Sequence, residues 1–237
     1  MNETELSSDK VLETIEQLEK RIGDRFPSSG LLKLCIDFLD VARKSSSNIV
    51  WISKPNWTMR IVAALIILIG LGGLVYSIRY IDLQLENTTL ENVVSLSEAV
   101  FNDLLLVGAA IFFIVSFESK HKRKRALKAL HQLRVVAHVI DMHQLTKDPS
   151  TLSTTNQSTK NSPKRRLTRY ELARYLDYCS EMTALVSKVA VLYAQSLPDD
   201  VIVKTVNEIE TLCTGLSQKI WQKLVFLKNS NGLTKAG

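Results

Sequence analysis

The chain has 237 residues, 46% of them apolar, and a formal net charge of +6, which suits one compact domain or two small ones. Its pI of about 9.2 invites a nucleic-acid reading, but the basic residues crowd the end of an apolar block, where they act first as a topology signal. The three cysteines, Cys35, Cys179 and Cys213, have no metal-ligand spacing, which argues against a zinc site or a disulfide framework and leaves reduced core thiols.

Mean hydropathy is +0.05, and the apolar excess lies in two blocks, as membrane spans would place it. With nine Gly and five Pro, the chain is poor in turn formers, as long helices require. No cleavable signal peptide is read, because the first long apolar stretch begins about sixty residues in.

Residues 1–56 read as cytosolic N-terminal helices. Val11, Ile15, Leu18 and Ile22 recur at spacings of four, three and four with charges between them, the pattern of an amphipathic helix with a coiled-coil-like stripe. Phe26-Pro27-Ser28-Ser29-Gly30 reads as a turn. Leu31 to Ala42 is then apolar nearly all round, with Lys33, Asp37 and Asp40 on one narrow polar stripe. Such a helix either sits centrally in a bundle or lies in a membrane interface.

Residues 57–118 read as a transmembrane hairpin. Ile61 to Ile78 carries no charge over eighteen residues, about 27 Å of helix and close to the hydrocarbon thickness of a bilayer. Trp51 and Trp57 precede it, and Tyr76 and Tyr80 close it, as rings do at headgroup level. The second block, Leu104 to Phe117, gives fourteen uncharged residues, about 21 Å. Extending it back to Glu98 supplies a full crossing but brings in Asn102 and Asp103, and an acid at that depth is costly unless served by a partner or water.

Arg43, Lys44, Lys54 and Arg60 precede the first span, and a basic run follows the second, whereas Arg79 stands among acids between the two. This bias places both termini in the cytosol and the short acidic loop outside. Glu98 and Asp103 are candidates for acidic rings lining a pore in an oligomer, or Asp103 for an ion pair with Arg79. Lys120, Lys122, Arg123, Lys124 and Arg125 are candidates for binding anionic lipid headgroups.

Residues 119–146 continue the second span as a cytosolic helix, with Ala126, Leu130, Leu133, Ala137 and Ile140 keeping a helical stripe. His131 and His138 share a face, a weak signal for metal or pH sensing, since no third ligand stands at fixed spacing. Residues 147–163 are rich in Ser, Thr and Asn without apolar periodicity, a flexible linker by composition.

Residues 164–229 carry the clearest pattern. Thr168 and Glu171 form a T-x-x-E capping box, opening a helix that ends before Pro198, and Asp199 or Asp200 can cap the next. The first stripe runs through Leu172, Leu176, Cys179, Thr183, Val186, Ala190, Tyr193 and Leu197. The second runs through Ile202, Val206, Ile209, Cys213, Leu216, Ile220, Leu224 and Leu227. So short a link folds the two back as an antiparallel pair. One pair buries too little surface to stand alone, so Ile202, Val206, Ile209, Leu216 and Ile220 are candidates for a seam against another part of the chain or another subunit.

No Gly-rich phosphate loop, H-E-x-x-H, G-x-S-x-G or Cys/His ligand cluster occurs in the sequence. The expectation is an all-α membrane protein, with two transmembrane helices, a cytosolic helical bundle and a C-terminal helical hairpin. It would be a non-enzymatic, membrane-anchored assembly or interaction protein, homo-oligomeric or bound to a cytosolic partner, in contact with anionic lipids and needing no cofactor. The alternative is a subunit of a small oligomeric cation channel.

Overall fold

The computed structural model describes residues 5–55, 57–82, 90–149 and 167–233. Among them the long elements are all α-helices: α1 Ser8–Arg25, α2 Gly30–Ser53, α3 Trp57–Asp82, α4 Leu90–Leu145, α5 Arg169–Ser196 and α6 Asp200–Leu233. The described residues gather into two compact units, one from 5–53 with 125–233, the other from 54–124.

Local chemistry sets several of the helix starts. Ser29 opens α2, its Oγ accepting from the Leu32 amide at 3.1 Å. At α5 the Thr168 hydroxyl accepts from the Glu171 amide while the Glu171 carboxylate accepts from the Thr168 amide at 2.7 Å, so two orphan donors are satisfied reciprocally. Those bonds hold the Glu171 carboxyl below its ordinary range. Asp199 caps α6, its Oδ1 accepting from the amides of Val201 and Ile202 at 3.1 and 3.3 Å.

In the larger unit α5 is the central helix, packing on α6, α1 and α2. Its expected stripe is buried except for Leu197, half-buried just past the helix end, and a further row at Tyr178, Leu185 and Leu192 is buried too. Tyr178 meets the α1 end of the chain, with its ring edge-on to Phe26 and its hydroxyl donating to the Arg21 carbonyl at 3.3 Å. The hairpin is therefore not a body of its own. Helix α5 has apolar faces in more than one direction, and α1 and α2 share in covering them.

Helix α2 resolves to the bundle alternative. Leu31, Leu34, Cys35, Phe38, Leu39 and Ala42 are buried while Lys33, Asp37 and Asp40 face outward. It also runs on to Ser53, burying Ser45, Ile49 and Ile52. The part of α4 beyond Arg125 buries Ala126, Leu130, Leu133, Ala137 and Ile140, as its stripe requires. Cross-helix ion pairs Arg21–Glu181 and Arg134–Glu208 lie on the surface, where each is worth about 0–1 kcal/mol. Apolar burial dominates, at about 1.5–3 kcal/mol for each fully buried Leu or Ile.

In the smaller unit the pattern inverts. The most apolar 18-residue windows of the two candidate segments have mean hydropathies of 1.6 and 2.2, and none of either is buried. Ile69, Leu68, Phe112 and Phe113 are among the most exposed large side chains. A soluble core helix of that composition would be covered by protein. Helix α4 is one unbroken helix from the second apolar block through the basic run to Leu145.

Candidate functional site

Within the smaller unit, glycines fix how α3 meets α4. A β-carbon at Gly70 would overlap the Val107 side chain, and one at Gly73 would lie 3.8 Å from the Asp103 carboxylate. The two helices thus touch at two levels one turn apart, as small residues allow in apolar helix pairs. Gly72 and Gly108 have open space around them.

Asp103 is half-buried at this contact, while Glu98 and Arg79 are exposed. Among the described residues Asp103 makes no ion pair with Arg79. The reason is register: Asp103 is level with Gly73, and Arg79 lies six residues further along α3, a rise of about 9 Å.

The basic run divides by role. Lys120 and Lys124 are exposed. Lys122 pairs with Glu118 at 2.8 Å and donates to the Lys54 carbonyl at 2.9 Å. Arg125 donates to Asn48 at 2.9 Å and stands over the Trp51 ring at 4.5 Å, a cation–π contact that anchors α2 to α4. Arg123 is partly covered. Two of the five headgroup candidates therefore serve the protein's own helix junctions.

Ile202, Val206, Ile209, Leu216 and Ile220 are buried inside this single chain, none more than 2% exposed. Their seam is covered within the chain, where α6 packs on α5. The apolar side chains that α6 leaves outside are Val201, Val203, Trp221, Val225 and Phe226.

His131 and His138 are both exposed, and among the described residues no group of three potential ligands could hold a metal ion. The three cysteines are free and buried. Burial pushes the Cys35 and Cys179 thiols up to about 12 and Cys213 to about 11, so none supplies a thiolate at neutral pH.

A polar cluster that the sequence reading did not anticipate lies where α4 ends. His143 Nδ1 is 3.2 Å from the Tyr175 hydroxyl. The Tyr175 ring takes Phe26 edge-on at 5.6 Å and Lys147 over its face at 5.2 Å. The imidazole sits against Gly30, where an added β-carbon would fall 2.7 Å from Cε1. Beside it, the buried Gln144 receives two bonds from Lys223 Nζ, 2.7 Å at its carbonyl and 2.6 Å at its side chain, and donates to Asp141 at 2.6 Å.

Burial and then Lys147 lower the His143 pKa from its ordinary value, and burial lowers that of Lys223. Next to this cluster, a groove of about 440 Å³ is lined by Leu145, Pro149, Phe226, Lys219 and Lys223 among others. The sequence signals were a glycine opening a helix and a tyrosine in the buried stripe region, each of which reads as packing when taken alone.

These features define an all-helical protein in which two helices are long and apolar enough to cross a membrane. No family model, no curated protein and no solved structure matches the chain.

Proposed function

We propose that the chain is a two-pass membrane protein, with both termini in the cytosol, that holds a helical bundle at a membrane surface as an assembly or interaction module. The observation that carries this reading is the contrast in burial. The apolar windows of α3 and α4 have no buried residue, whereas the apolar stripes of α1, α2, α5 and α6 are covered within the chain. A lipid environment satisfies the first set at no cost in exposed apolar area. The skew of basic residues supports the orientation.

Association with a partner or a second copy uses faces other than the α6 stripe, which the chain itself covers. The exposed Trp221 and Phe226 on α6 offer such a face. The test is glycosylation in microsomes, using the acceptor sites at Asn2, Asn56, Asn87 and Asn156. Glycan on Asn156 would overturn the topology, and modification confined to Asn87 would establish it. An acceptor inserted with a longer spacer in the 83–89 segment covers the case in which Asn87 lies too near the bilayer.

A second reading, an oligomeric cation pore, is favoured by one observation. Asp103 is half-buried at the α3–α4 contact, without Arg79 to neutralise it, and acids at membrane depth mark ion paths by default. Conductance in planar bilayers that loses cation preference in Asp103→Asn would establish the pore. A silent assembly of defined mass in detergent would favour the interaction module.

A further inference from the structure

We propose that the seat of His143 is an acid-sensitive catch, in which protonating the imidazole releases the start of α2 from the end of α4. The inference belongs to the larger unit and does not rest on the membrane reading. Its geometry is a junction of three segments. The ring lies against Gly30, the first residue of α2, so closely that a β-carbon added there would fall 2.7 Å from Cε1 and displace the ring. It meets α5 through the Tyr175 hydroxyl at 3.2 Å. Phe26, at the turn before α2, rests edge-on against the same Tyr175 ring.

Burial and one nearby cation oppose a proton on the imidazole, and no facing group supplies an anion to offset them. Lys147, on the segment that follows α4, is the charge acting on it directly, and that ammonium is held over the Tyr175 ring. From α5 comes the Tyr175 phenol, whose own pKa burial raises above its ordinary value, so it stays neutral and brings no anion. From α2 comes Gly30, which has no side chain, at the positive end of that helix. The neighbouring Gln144 is occupied by Lys223 from α6 and by Asp141. A neutral imidazole fits this seat, its Nδ1 accepting from the phenol hydroxyl in one tautomer and donating to the phenol oxygen in the other. An imidazolium has burial, an ammonium and a helix N-terminus against it.

The sign follows from linkage. His143 binds its proton less readily in the closed state than in the open one, so the open state takes up more protons as pH falls. The contribution of the seat is complete above about pH 6.5, the ordinary value for histidine, and is lost as pH falls from there toward the closed-state value. His121, His131 and His138 are exposed and provide internal controls on the same helix.

Hydrogen exchange on the full chain in detergent, at about pH 7.5 and about pH 5.5 and corrected for intrinsic rates, tests the catch. The reporting amides are Ser29, bonded to the Phe26 carbonyl, and Leu32 and Lys33, both bonded to Ser29. In the native chain their opening should increase severalfold at the lower pH, with a ceiling of about tenfold for one pH unit below 6.5. In His143→Gln, which cannot take a proton, the two pH values should give the same opening. Lys147→Gln removes the opposing charge and should reduce the acid response while keeping the fold. Absence of acid-induced opening in the native chain, or an equal response in His143→Gln, would overturn the proposal.

Discussion

His143 and Gly30 touch so closely that a β-carbon on the glycine would lie 2.7 Å from the imidazole Cε1, which makes Gly30 a packing glycine rather than a turn glycine. Gly30→Ala should therefore destabilise the bundle by about 1–3 kcal/mol, the range for overpacking a well-filled contact. Gly23→Ala should do the opposite. Its β-carbon would meet Leu32 Cδ1 at an ordinary 3.8 Å inside α1, so replacing glycine with alanine gains up to about 1 kcal/mol of helix propensity. Urea unfolding followed by helical circular dichroism reads both, and shifts of the same sign would refute the contact.

The glycines of α3 make a parallel contrast. Gly70→Leu drives a side chain into Val107 and should lower the thermal midpoint of the protein in detergent. Gly72→Leu, with nothing within 4 Å of its β-carbon position, should leave that midpoint within a degree or so of the native value. Equal sensitivity at both positions would mean that α3 and α4 do not meet along the Gly70 face.

Asp103 and Arg79 should behave as independent sites. Residues that share no contact have additive effects, to within about 0.3–0.5 kcal/mol. Arg79→Gln and Asp103→Asn, made singly and together, should thus sum in their effects on unfolding in detergent. Recovery of stability in the double variant would show that the two charges pair after all.

Ile209 is fully buried mid-way along the α6 seam. Ile209→Asp places a carboxylate there without a partner and should cost several kcal/mol, in the class of buried unpaired charge. Because the seam is internal, the loss should be independent of protein concentration, whereas a seam between subunits would give a concentration-dependent midpoint. Light scattering alongside urea unfolding distinguishes the two.

The helices themselves were legible from local chemistry. Periodicity located α1, the part of α4 beyond Arg125, and the α5 and α6 stripes, because a 3.6-residue repeat written in apolar side chains has one regular backbone that can bury it. The T-x-x-E box and the Asp199-Asp200 pair located two helix starts, the structure choosing Asp199 as the second cap, since each satisfies orphan amides within three residues of itself. An uncharged run of eighteen residues, and one of fourteen extended back to Glu98, marked the two helices long and apolar enough to cross a membrane.

Tertiary structure alone decided what each face touches. Periodicity says that Ile209 turns inward but is silent on whether α5 of the same chain or of another covers it. The all-round apolarity of Leu31–Ala42 fits a bundle or an interface equally, until α1 and α5 are seen against it. Asp103 and Arg79 are near in a hairpin drawn by hand, yet the close approach of Gly70 to Val107 sets the register that keeps them apart. His143, Tyr175 and Gly30 lie 113 and 32 residues from one another in sequence along two of their separations, so no local rule could join them. Their meeting depends on three helices converging, and side-chain packing at that convergence, not propensity, determines it.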